Sequence, residues 1–268
     1  GYTVHEVFLK GKKSPAANED GIILTKDFAA VIDGATSKSA FAFEGKSSGR
    51  VSMELVLEAI SEFPRDITAE DAVKIYDFYV KHNLLESVNE TPGARLTSNG
   101  VIYSMERKEL WQIGDCQAMV GDTHYMNDKE IDDIMSAARS AYNEVVLLQG
   151  KTLDDLRTQD VGRDFIFPFI KIQGVLQNAH GHPYGFPVLD GFDIDMNQVL
   201  IIPIEGKEII LASDGYPTLF NTLKESESFL KKVINEDPML IRLYKSTKGV
   251  QKGLDSFDDR AYVRFTVK

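Results

Sequence analysis

The sequence predicts an α+β fold, with antiparallel strands and helices kept in separate parts of the chain. Apolar runs of strand length gather at its two ends: "TVHEVFL", "GIIL" and "FAAVID" early, "VLIIPI", "EIILAS" and "AYVRFTV" late. Segments with helical spacing lie between these groups and do not alternate with single strands, which argues against repeated βαβ units. The phosphate loop GxxxxGK[ST] and the dinucleotide loop GxGxxG are both absent.

After the three opening strands, helices are expected near Glu44 to Ser61 and Thr68 to Asn89. In the second, Ala72, Ile75, Tyr76, Tyr79 and Val80 recur three and four apart behind the capping-box-like "TAED". "LTSNGVIYSMERKELWQIGDCQAMVGD" reads as a meander of three short strands, with "ERKE" as a hairpin turn and Gly114 closing the second strand. Asn127 to Leu148 has a helical pattern. Lys151 to Asp195 carries glycines and prolines between apolar pieces and reads as an irregular, flap-like insertion near the working face. A helix from about Pro217, another across Pro238 to Lys245 and the terminal strand complete the chain.

With 268 residues and 43% hydrophobic composition, residues 1–268 can bury one sizeable core as a single domain. No window approaches the roughly 18 consecutive apolar residues of a membrane span, and the first residues lack the apolar stretch of a signal peptide. A net charge of −11 leaves no electrostatic footprint for nucleic acid or anionic membrane. The single cysteine, Cys116, excludes an intrachain disulfide framework and a cysteine zinc cluster, and it suits the reducing cytoplasm.

Two strands end in the same way, "FAAVIDG" and "EIILASDG", each placing a carboxylate where the chain leaves the sheet. Glycine after the aspartate lets the backbone turn. Hard divalent cations take such oxygen ligands, and Mg²⁺ or Mn²⁺ is held by one or two carboxylates with several waters. Asp33 and Asp214 are therefore candidate ligands, joined by Asp115 in "WQIGDC", Asp258 and Asp259 in "DSFDDRAYVRF", and Glu19 and Asp20 in "NEDG". An isolated Asp-Gly is more often a turn than a ligand, and "VLDG" at Val188 to Gly191 reads as one.

In order, "NED", "AVIDG", "IGDCQA", "LASDGY" and "FDDRAYVRF" resemble the motifs of the PPM family, the metal-dependent type 2C Ser/Thr protein phosphatases. The resemblance spans about Val4 to Val267. It implies a sandwich of two packed antiparallel sheets flanked by helices, and hydrolysis of phosphoserine and phosphothreonine in protein substrates by hydroxide activated between two Mg²⁺ or Mn²⁺ ions. It also implies roles. Asp33 would bridge the ions and the Gly34 carbonyl would bind one, with Asp214 and Asp258 completing the pair. Glu19 would hold water beside them, supported by Asp20, and Asp115 matches the position of a third, weaker metal.

The chain departs from the family's pattern in several places. "DGATS" puts Ala35 where some members carry a histidine acid, and His180 and His182 are the imidazoles of the expected flap. "KGKKSPAANED" has no arginine for the substrate phosphate, so Lys12 or Lys13 is the candidate replacement, as a point charge without a bidentate fork. Thr218 stands where a further acid often supports the third metal. Arg157 and Arg163 could reach a phosphopeptide from the flap. A catalytically weak relative that binds a partner or phosphorylated ligand, and a phosphatase of small phosphate esters, are the alternative readings. No EF-hand loop is present to support a calcium module.

Overall fold

A computed structural model describes residues 1–36, 45–83, 95–206 and 208–268 of the chain. Among the described residues, ten strands form two antiparallel five-stranded sheets. The first sheet joins β1 (Tyr2–Lys10), β10 (Arg260–Val267), β9 (Glu208–Ala212), β6 (Gln117–Val120) and β7 (Thr123–Tyr125), in that order. The second joins β2 (Asp20–Leu24), β3 (Phe28–Ala35), β4 (Thr97–Ser104), β5 (Glu109–Ile113) and β8 (Leu200–Pro203).

Period-two alternation sorts the side chains into layers. On β3, Ala29 and Val31 face the other sheet, where they meet Leu211, Val263 and Phe265 in the core between the sheets. Ala30 and Ile32 face the opposite way, against α1 (Ser48–Ser61) and α2 (Ala69–Asn83), through Met53, Val56, Ile60 and Tyr76. On the far side, Ile210, Ala212 and Tyr262 receive Leu230 and Val233 of α6 (Leu223–Glu236). The result is the helix, sheet, sheet, helix sandwich that the family resemblance implies. Among the described residues, no helix is long and apolar enough to cross a membrane.

Helix α1 begins where Ser47 caps it, its hydroxyl accepting from Arg50 N at 3.2 Å, and Thr68 caps α2 by accepting from Asp71 N at 3.1 Å. Residue 44 and residues 84–89, where these helices were expected to extend, lie outside the described residues.

Three expectations need correction. The expected three strands form, as β4, β5 and β6, but they are divided between the sheets, because Gly114, at φ 88°, turns the chain out of one sheet and into the other. The segment from Lys151 is not irregular at first: α4 (Leu153–Thr158) and α5 (Val161–Ile172) follow α3 (Glu130–Leu148). A capping box of Thr152 and Asp155 starts α4, and Asp160 caps α5, so local capping outweighs the helix-breaking Pro168 inside α5. No helix runs from Pro238 to Lys245. Leu240 sits at φ 52°, and the Asp237 carboxylate takes the backbone N–H groups of Ile241, Arg242 and Leu243.

Candidate metal centre

Antiparallel pairing carries the predicted acids to one end of the sandwich. Asp20 opens β2 and pairs across to Asp33 near the end of β3, which pairs on to Asn99 of β4. Asp115 lies on the crossover from β5 to β6, Asp214 just past β9, and Asp258 just ahead of β10. Carboxylate oxygens of Asp33, Asp115 and Asp214 come within 4.8 Å of one another. Asp258 does not join this trio: Lys248 Nζ lies 3.0 Å from its Oδ2, and Asp259 N donates to its Oδ1 at 2.8 Å.

The trio forms the floor of a cavity of about 420 Å³. Gly34, Lys12, Glu19 and Asp258 also line it, whereas Lys13, His180 and His182 are exposed and do not. Glu19 accepts from the Thr36 hydroxyl and from Ser47 Oγ at 2.7 Å, which ties the acid to the start of α1. Asp259 serves as a clamp, its two oxygens taking Lys12 N at 2.9 Å and Glu19 N at 3.0 Å.

Both Asp-Gly corners owe their glycine to a close backbone. A Cβ on Gly34 would collide with the carbonyl of Gly49 in α1, and one on Gly215 with the carbonyl of Asp259. The second corner is held further by Gln117, whose Nε2 donates to Ser213 O at 3.0 Å and Tyr216 O at 2.8 Å. Asp190, the decoy, is fully buried, pairs with Arg95 at 3.3 Å and accepts from Phe192 N in the tight turn the sequence suggests.

Burial, followed by the charges of neighbouring carboxylates, pushes Asp20, Asp33 and Asp214 well above the usual carboxylate range. Asp115 is raised for the same first reason, with Lys129 opposing. Among the described residues, both oxygens of Asp20 and one each of Asp115 and Asp214 are buried without a hydrogen-bond partner, as is Asn99 Oδ1. Buried anionic oxygens left unpaired are costly. A divalent cation would satisfy this donor set, all of it hard oxygen, so the residues fit the metal that the resemblance implies.

Basic side chains surround the acids. Lys129, under the ring of Phe186 at 4.6 Å, stands 3.9 Å from Asp115 and 3.5 Å from Asp132. Arg163 and Lys171 of α5 and Arg95 line the wall. Arg157 instead donates to Val250 O at 3.2 Å, outside this cavity. Lys12 is lowered to about 8, by burial first and by the charge of Lys248 second. Sequence reasoning missed Lys129, Lys248 and Asn99. Only Asn99 left a signal, an amide within a strand that must lie beside "AVIDG".

Among solved structures, the chain is similar to the Mycobacterium tuberculosis serine/threonine phosphatase PstP/Ppp, at 15% identity over 100% of this chain and 98% of that one, with a TM-score of 0.49. It is also similar to the catalytic domain of PstP in complex with 2 manganese ions, at 15% identity over 99% and 97% of the two chains and a TM-score of 0.47. Serine/threonine phosphatase Stp1 from Staphylococcus aureus shares 14% identity over 98% and 94%, with a TM-score of 0.48. No family model and no curated protein matches the chain.

Proposed function

We propose that the chain is a cytoplasmic, metal-dependent phosphatase that hydrolyses phosphoserine and phosphothreonine esters of protein substrates. The observation that carries this reading is the convergence of Asp33, Asp115 and Asp214, with their unpartnered buried oxygens, at the floor of a cavity walled by cations. The preference for phosphorylated serine and threonine rests on the order of the five acidic motifs.

Asp33, Asp115 and Asp214, with Asp20 beside them and the Gly34 carbonyl in reach of the same cavity, would hold Mg²⁺ or Mn²⁺. Bound there, such ions supply a lowered pKa for water and a charge that offsets the phosphorus centre. The protein's own groups do the rest. Lys12, Arg163 and Lys171 draw the phosphate dianion to the mouth of the cavity and offset its repulsion by the acids of the floor. Cys116 is no nucleophile, because burial and the nearby carboxylates hold its thiol protonated. No cysteinyl phosphate is expected, and a water nucleophile fits the proposed metal chemistry.

The test is hydrolysis of p-nitrophenyl phosphate and of a phosphothreonine peptide with Mn²⁺, Mg²⁺ or EDTA, beside the Asp33→Asn variant. Turnover that requires metal and vanishes in the variant is expected. Turnover that persists in EDTA would remove metal from the mechanism, and Mn²⁺ binding without turnover would favour a ligand-binding relative of these enzymes.

A further inference from the structure

Asp258 differs from the other acids of the centre in that both its oxygens are engaged, one by Lys248 Nζ at 3.0 Å and one by Asp259 N at 2.8 Å. Asp20, Asp115 and Asp214 keep buried oxygens without a hydrogen-bond partner among the described residues. We propose that Lys248 is a resident cation of this centre: it occupies Asp258, and Asp33, Asp115 and Asp214 are left to hold a single tightly bound divalent ion. The inference rests on the metal-dependent reading above, and it replaces one of the two ions that the family resemblance implies with an ammonium belonging to the chain.

The position of Lys248 is built into the fold. Its loop is held from below by the fully buried Arg139, whose guanidinium donates to Met239 O at 2.7 Å and to Ser246 O at 3.0 Å and is itself fixed by Asp160. Arg163 donates to the carbonyl of Thr247, the residue before the lysine, at 3.0 Å. The backbone on the N-terminal side of Lys248 is therefore pinned at Ser246 and Thr247. Its side chain is 32% exposed and that of Asp258 23%, so the pair is screened less than a surface ion pair.

Lys129 provides the contrast. It stands 3.9 Å from Asp115, beyond hydrogen-bond length, and Asp115 retains an unpartnered oxygen, so this lysine leaves its neighbour free to ligate. A divalent ion arriving at Asp258 must displace the ammonium of Lys248 or be repelled by it. Among the described residues, no such competitor is bonded at Asp33, Asp115 or Asp214.

The test is Mn²⁺ titration of the whole chain without substrate, by calorimetry and electron paramagnetic resonance, for the native protein, Lys248→Gln, Lys248→Arg and Asp258→Asn. The native protein and Lys248→Arg are expected to take one Mn²⁺ tightly and to show no spin coupling. Lys248→Gln should gain a second, spin-coupled Mn²⁺, at least about tenfold tighter than any second ion of the native protein. Asp258→Asn should leave the first ion's affinity within about twofold. Two equally tight ions in the native protein, unchanged in Lys248→Gln, would overturn the proposal and leave metal dependence standing. A tenfold loss of the first ion in Asp258→Asn would overturn it independently, even if Lys248→Gln failed to fold. No Mn²⁺ in any of the proteins would overturn this proposal and the metal reading together.

Discussion

The floor and the wall of the cavity are made from different kinds of structure. Asp20, Asp33, Asp115 and Asp214 stand on strand ends or the short links between them, held by ladder pairing and by the side chain of Gln117. Lys12 and Lys248 stand on loops, and Arg163 and Lys171 on α5, so their positions depend on long-range anchors such as Arg139 and Asp259. The part borne by strand ends is acidic, and the part borne by loops and α5 is basic. Under the proposed function, the metal ligands are set by ladder pairing within the sheets and the phosphate contacts by loops and a helix anchored at long range.

The floor should be the intolerant part. Asp214→Asn is expected to reduce metal-dependent turnover to background in the peptide assay while leaving the circular dichroism spectrum unchanged. The amide keeps the shape and removes one charge from a group of like charges, so the metal-free fold gains from the change. Full activity in this variant would place the chemistry away from the floor.

A second consequence concerns stability without metal. The folded-state pKa values of Asp20, Asp33 and Asp214 are raised above the ordinary 3.8. Protons bound by such groups stabilise the fold fully below that ordinary value, and the contribution is lost as pH rises through the raised values. The Tm of the EDTA-treated protein should therefore fall as pH climbs from the acid range toward neutrality. Saturating Mn²⁺ should restore about 2.7 kcal/mol at one hundred times its Kd, with the gain growing as pH rises. A flat metal-free profile would mean that the carboxylates are not crowded in solution as they are in the structure.

The same division explains what was legible in the sequence. Asp33, Asp115 and Asp214 each carry a local mark, an apolar strand run followed by Asp-Gly or by the sharp turn at Gly114, and antiparallel pairing gathers them with Asp20, which opens β2. Lys248 in "KSTKGV" carries no mark, since its place is set by Arg139, 109 residues earlier in the chain. The two helices at 153–172 were missed because Pro168 and the neighbouring glycines read as breakers, although Thr152 with Asp155 spelled a cap. For Asp258 the motif order implied a ligand, and only the three-dimensional neighbour Lys248 shows that both its oxygens have partners.

The wall should yield smaller effects, and Lys12 sharpens the contrast most. Its backbone is fixed by Asp259, while its side chain lines the cavity and feels the charges of Lys248 and Lys13 against those of Asp258 and Asp259. Burial and the Lys248 charge bring it to about 8, so it is charged below that pH and neutral above it. If the ammonium draws in the substrate phosphate, Lys12→Ala should raise KM by about tenfold, the cost of one charge-assisted contact, and change kcat less. Because kcat/KM reports groups of the free enzyme, the native profile should decline as pH rises through about 8, and this limb should be weaker in Lys12→Ala. An unchanged KM together with an unchanged alkaline limb would return Lys12 to a purely structural place in the loop. A loss as deep as that of Asp214→Asn would erase the distinction between floor and wall.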